Sequence, residues 1–176
     1  VTLLAGNAPV CANYSLAVQQ QVLTALKSRQ ITVLHDVALG LNGREVRLGC
    51  GGDLACDVPL IATGAQPAPW LAGSGLAVDG QGFIAVDACQ RSTSHPQVFA
   101  VGDISTRVDR TLARSGVYAV RAGPALALNL AAAVANQPLK AHQPPDVTLN
   151  LLSCGNRSAI ATWGNFSAQG RWVWWL

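Results

Sequence analysis

The 176-residue chain has no methionine, few aromatic side chains (6%) and few charged ones (12%). Its net charge of +3 is spread along the sequence. No basic run or basic helix gathers it, which argues against a nucleic-acid partner. Five cysteines stand at irregular spacing, with no C-x-x-C and no paired zinc pattern, so no metal site is expected. Cys50 and Cys56 are the nearest pair, in a Gly-rich turn, and free thiols in a reducing cytoplasm are the expected state. No apolar run reaches the roughly 20 residues a membrane span needs. The Ala/Leu stretch from Ala125 to Ala135 falls short and contains Asn129. The first residues lack the basic segment and cleavage site of a signal peptide. Also lacking is any G-x-G-x-x-G between a strand and a helix, since Gly73-Ser-Gly75 has no third glycine. A start at Val1-Thr-Leu-Leu without methionine, and an end at Trp174-Trp175-Leu176, are expected of part of a longer polypeptide.

What is present is apolar. Half the residues are hydrophobic, enough core for one ordinary domain or two small ones. The most informative stretch is Thr93-Ser-His-Pro-Gln-Val-Phe-Ala-Val-Gly-Asp103. Val98 to Val101 is a short apolar run without alternation, the pattern of a strand buried on both faces of a parallel sheet. Gly102 breaks it and leaves Asp103 at the carboxyl end. In open α/β sheets that is where ligands bind, and a carboxylate there accepts hydrogen bonds from hydroxyl groups.

The remaining elements follow from periodicity. Val1 to Ala5 reads as a buried strand ended by Gly6. Asn13 to Arg29 reads as a helix with Leu16, Val22, Leu23 and Leu26 on its apolar face and Asn13 or Ser15 as cap. Ile31 to His35 is the next strand, and Arg44 to Leu48 with Leu54 to Cys56 a hairpin. Val58 to Ala62 returns as a buried strand, Trp70-Leu71 packs at a Pro/Gly crossing, and Phe83 to Val86 is a short strand. His95, before Pro96, reads as a turn residue rather than a proton donor. A long helix is expected from near Thr111 to about Asn136, bent or interrupted by Pro124. Its first-turn N–H groups and aligned peptide dipoles make its start effectively positive. Arg107, Arg110 and Arg114 cluster near that end, as an anionic cofactor or a solvated loop would explain. Asn136 to Pro145 is a Pro-rich polar linker. Val147 to Leu152, Ser158 to Trp163 and a segment from Phe166 form a small antiparallel sheet.

In order and spacing, Ile61-Ala-Thr-Gly64, Val98-Phe-Ala-Val-Gly-Asp103 and Arg114-Ser-Gly-Val-Tyr-Ala-Val-Arg-Ala-Gly-Pro124 resemble the FAD-dependent pyridine nucleotide-disulfide oxidoreductase superfamily. The resemblance runs from Val1 to about Trp175. It is nearest to the type II NADH dehydrogenase and sulfide:quinone oxidoreductase branch and to the flavoprotein domains associated with selenide, water dikinases. It implies an α/β fold: a partial FAD/NAD(P)-binding Rossmann-like parallel sheet with helices, plus a small C-terminal antiparallel sheet. Residues 1–70 would be the back half of an NAD(P)-binding domain, 71–140 the returning segment of an FAD-binding domain, and 141–176 a capping or interface region.

The resemblance also implies the chemistry. NAD(P)H would reduce FAD, and FAD would pass electrons to a quinone or another acceptor. Asp103, after Gly102, would meet a flavin ribityl hydroxyl. Leu112, Ala113, Ser115 and Gly116 would lie where the helix start faces the flavin pyrimidine edge and stabilises the charge of the reduced ring. Thr63 and Gly64 would shape the strand end where the nucleotide domains meet. Gly6-Asn7 carries neither the acid that favours NAD nor the base that favours NADP. The family's paired redox cysteines have no counterpart. Both cofactors would need an N-terminal part of the same polypeptide, so activity of this stretch alone is not expected. Uncovered sheet edges favour a homo-oligomer. The tryptophan-rich end would serve quinone or membrane-surface contact, at the inner face of the membrane, or an assembly role without catalysis. Cys154 would be the thiol of a sulfide- or selenide-handling alternative, against its reading as a buried structural thiol.

Overall fold

The computed structural model describes all residues 1–176. In chain order it contains β1 (Thr2–Leu4), α1 (Leu16–Ser28), β2 (Thr32–Leu34), β3 (Ala38–Asn42), β4 (Glu45–Leu48) and β5 (Asp53–Ala55). There follow β6 (Ile84–Val86), β7 (Ser105–Arg107), α2 (Gly116–Val134), β8 (Leu149–Gly155), β9 (Ser158–Trp163) and β10 (Phe166–Gly170). These make two compact units, one of Val1–Ala62 with Val147–Leu176 and the other of Thr63–Asp146. The class is mixed α/β, with parallel pairs and small antiparallel sheets.

In the first unit, β1 and β2 pair in parallel, Thr2 opposite Thr32 and Leu4 opposite Leu34, with α1 as the crossover. A parallel pair requires such a connection, because a tight turn cannot reverse the chain twice. Ser15, one of the two caps expected, accepts from Val18 N at 3.5 Å. The buried stripe of α1 centres on Val18, whereas Leu16 and Leu23 are exposed. The expected apolar face is therefore rotated. Val1 is also almost fully exposed, so this strand is not the buried one its composition suggested. Only one strand pairs with it, and a two-stranded sheet cannot enclose its members.

β3, β4 and β5 form an antiparallel meander. The hairpin of β4 and β5 is the expected one, and β3 is an addition. Asn42 pairs with Glu45 across a two-residue turn whose first residue, Gly43, has φ +61°. Glycine reaches that region without a Cβ clash, which suits a hairpin turn of primed type. Val58 to Ala62 forms no strand, and Val58, Leu60 and Ile61 are exposed. Apolar composition there has no neighbouring strand to pair with.

β8, β9 and β10 form the expected antiparallel sheet in the order β10-β9-β8. Asn156 and Arg157 turn β8 into β9 with both φ values positive, again a primed hairpin turn. β9 lies against α1, and its Ile160 is fully buried. Ala159 and Ala161 pack on Val173 of the terminal turn Trp172–Trp175. Leu149, Trp163 and Phe166 are cross-strand neighbours in a single row, all exposed.

In the second unit, β6 is buried along its length and pairs in parallel with β7. Leu71, Ile84, Val86 and Ala100 make its core. Leu71 packs as expected, but its neighbour Trp70 is exposed. Val98–Val101 is extended without forming a regular ladder. Its backbone contacts to the preceding segment are an isolated bridge of Phe99 to Arg91, a 2.8 Å bond from Ser92 N to Val98 O and a 3.0 Å bond from Ala100 N to Gln90 O. The parallel partner of β6 is instead the segment after Gly102. His95 lies in a turn, with Val98 N donating to its carbonyl at 3.0 Å.

α2 starts at Gly116, five residues later than expected, with Ser115 as cap. It runs through Pro124 without interruption. By length and composition it could cross a membrane, which the shorter Ala/Leu run did not suggest. One face nevertheless carries the buried Asn129, whose Nδ2 donates to Cys89 O (3.0 Å) and Lys140 O (2.9 Å). Lys140 N returns a bond to Asn129 Oδ1 at 2.8 Å. The segment expected as a linker, Asn136 to Pro145, is thus tied to α2 at Lys140.

Candidate functional site

The site lies within the second unit, where the Gly102 turn meets the start of α2. Val101 arrives extended, and Gly102 turns at φ +72°. A Cβ on Gly102 would stand 3.3 Å from Ala119 Cβ, so the turn sits directly against the helix. Asp103 follows in a short 3-10 turn, exposed and free to accept hydrogen bonds. Ser105 Oγ donates back to Gly102 O at 3.1 Å and fixes the exit. Ser115 takes Tyr118 N at 3.5 Å. Capping leaves other first-turn N–H groups of α2 free of intrahelical partners, at the positive end of its dipole.

Between these parts is a cavity of about 60 Å³. Gly102, Asp103, Leu112, Ala113 and Ser115 line it, five of the residues that the sequence placed together. Gly116 lies just beyond the lining. Thr63 and Gly64 are not brought to the cavity; both are exposed in a segment without regular secondary structure.

Two lining residues carried no signal in the sequence. Gln90 stands in a turn with φ +68° and is 3% exposed. His142 belongs to the Pro-rich tail, and its N donates to Ala88 O at 2.8 Å. Burial holds the His142 imidazole below its ordinary pKa, and the nearby Arg107 and Arg110 act in the same direction.

The three arginines of this region have acidic partners. Arg107 forks onto Asp109 at 2.7 and 2.8 Å and donates to His142 O at 3.1 Å. That fork is the first cause holding the Asp109 carboxyl below its usual range. Arg110 reaches the same carboxylate at 4.0 Å. Arg114 lies 3.6 Å from Asp79 and stacks on Phe83, 3.5 Å from the ring centroid. Two arginines share one aspartate, so a modest positive surplus remains beside the cavity.

The pieces suit the edge of a planar, polyhydroxylated cofactor. Asp103 offers an acceptor for hydroxyl groups and the α2 start offers positive potential, while the cavity volume accepts a ring edge rather than a whole ring. Within the second unit, a Gly-Asp turn after an extended segment and a capped helix beside it are thus placed together in a chain of mixed α/β class.

The chain belongs to the pyridine nucleotide-disulphide oxidoreductase family, whose model matches residues 1–127. Its members use FAD and NAD(P). The fold is similar to that of an FAD-dependent pyridine nucleotide-disulphide oxidoreductase from Desulfovibrio vulgaris, at 22% identity and TM-score 0.68, covering 91% of this chain and 41% of that one. It is also similar to the sulfide:quinone oxidoreductase of the hyperthermophilic bacterium Aquifex aeolicus, at 14% identity and TM-score 0.68, covering 91% and 42%. Putidaredoxin reductase in its covalent complex with putidaredoxin matches at 17% identity and TM-score 0.68, covering 93% and 40%. The chain thus spans well under half the length of these structures.

Proposed function

We propose that this chain supplies one wall of the flavin site in an FAD-dependent oxidoreductase that takes a hydride from NAD(P)H and passes electrons to a quinone or another acceptor. The juxtaposition of Asp103 with the start of α2 carries the reading. FAD would supply the redox chemistry. Asp103 would hold a ribityl hydroxyl, and the α2 start would offset negative charge at the pyrimidine edge. Gly102 and Ala119 would keep the approach narrow. The remaining cofactor contacts would come from an N-terminal part of the same polypeptide, and the assembled protein would work in the cytoplasm.

The test is a visible absorption titration of the chain with FAD, before and after gel filtration. The expected outcome is a perturbed flavin band at high FAD concentration that is lost on the column. An unperturbed band at every concentration would remove the site from this chain.

The exposed row of Leu149, Trp163 and Phe166, with Trp163 61% and Phe166 80% exposed, favours a second role in self-association. Light scattering on the chain and on a Trp163→Ser, Phe166→Ser variant decides it. A monomer in both cases rejects that role.

A further inference from the structure

We propose that Arg114 is a positioning residue of this site: stacked on Phe83 and paired with Asp79, it fixes where α2 starts beside the cavity that Asp103 lines. The connection from β7 to α2 needs such a support. Its last backbone hydrogen bond is Val108 N to Val86 O at 3.0 Å, and from Asp109 to Arg114 the backbone makes none. Yet Leu112, Ala113, Arg114 and Ser115, all from the end of this connection, line the cavity. Side chains therefore hold it. The Arg107–Asp109 fork secures the β7 end, and Arg114 secures the helix end.

The anchor for Arg114 is a closed turn. Asp79 N donates to Phe83 O at 2.8 Å, and Asp79 Oδ1 accepts from Gln81 N at 2.9 Å and Phe83 N at 3.0 Å. The other carboxylate oxygen, Oδ2, is left to face Arg114 Nη2 at 3.6 Å. The Phe83 ring, 3% exposed, lies under the guanidinium at 3.5 Å from its centroid. A planar guanidinium can stack on a ring and meet a carboxylate at once. Its charge is thereby committed to Asp79, so Arg114 acts on the site through its neighbour Ser115. Ser115 takes Tyr118 N on its Oγ at 3.5 Å and Ala119 N on its carbonyl at 3.1 Å. Ala119 is the residue against which the Gly102 turn rests. This role rests on the proposed cofactor reading only for what the helix start faces.

The test uses the full chain, with amide hydrogen exchange and FAD as the two readouts. Arg114→Met keeps the apolar stem and removes the charge, while Asp79→Asn keeps the Oδ1 acceptor of the turn. Each is expected to speed exchange at Tyr118 and Ala119 about three- to tenfold, the range of one lost cation–π contact and ion pair. The double variant should do no more than either alone, because both remove one interaction. Arg114→Lys, which restores the cation, should return exchange close to the wild-type rate. FAD should bind more weakly to Arg114→Met by a similar factor, and Arg114→Lys should recover it. Unchanged exchange at Tyr118 and Ala119, or acceleration shared equally by the whole chain, would overturn the role. A wild-type chain that leaves the flavin band unperturbed would reject the cofactor reading, and exchange at the two amides would still decide for or against Arg114. If Arg114→Met fails to fold, Asp79→Asn carries the same test.

Discussion

The Asn129 side chain and the Lys140 backbone exchange two hydrogen bonds, 2.9 Å from Nδ2 to the carbonyl and 2.8 Å from the amide to Oδ1. With the bond to Cys89 O, the buried amide joins three segments of the second unit. Asn129→Ala is expected to cost about 2–4 kcal/mol, since the change leaves buried backbone groups unpartnered. Urea unfolding of both proteins measures it. A difference below about 1 kcal/mol would mean that water replaces the side chain without loss.

Gly102→Ala tests the narrow turn. The substitution places a Cβ at φ +72° and 3.3 Å from Ala119, so strain and crowding act together. A loss of about 1–3 kcal/mol is expected. Adding Ala119→Gly should return the crowding part and leave the strain, which a double-mutant cycle separates.

Asp103→Ala tests the cofactor reading. The side chain is exposed, so the melting temperature should stay the same. FAD binding should fall about tenfold or more, the effect of one lost charge-assisted bond. Equal FAD affinity in the variant would sink the role given to Asp103.

His142 sets a pH dependence. Its pKa in the folded chain lies below the ordinary 6.5, through burial first and then the arginines. The unfolded chain therefore takes up the proton more readily. Stability from this residue is fully present above 6.5 and declines as pH falls from 6.5 through the folded value. NMR titration of the imidazole should give a midpoint below 6.5. The acid-side decline should shrink in His142→Gln. A midpoint above 6.5 would reverse the sign.

Much of the fold was legible because short-range chemistry decides it. Ser15 precedes a helical stripe, the Gly-rich turn around Cys50 joins β4 to β5, and alternation marks β8. Gly102-Asp103 was legible for the same reason: a glycine announces where an extended segment turns. Ser115 entered only through the family resemblance, and its role as the cap of α2 was not read, since the helix was expected to start near Thr111. Val58 to Ala62 and Val98 to Val101 misled because apolar composition states a wish for burial and says nothing of which strand answers it. Leu16 and Leu23 misled in the same way, as α1 turns Val18 inward and lies against β9, far along the chain. Gln90 and His142 were invisible for a different reason. Each owes its place to long-range bonds, one to Ala122 and the other to Ala88, and no local pattern encodes them.

The segment 137–146 has the composition of a cleavable connector, yet its backbone is gripped at successive points. Asn129 holds Lys140, Arg107 holds His142, Arg110 reaches Pro144 at 3.4 Å, and Tyr118 OH donates to Pro145 at 3.1 Å. A protease must draw an extended stretch of chain away from such anchors before it can cut. The exposed stretch from Asp57 to Gln66, without such ties, is where digestion should begin. Limited trypsin-free digestion with a broad-specificity protease would therefore nick the chain at the junction of its two units and leave the proline-rich strap attached to the helix it crosses.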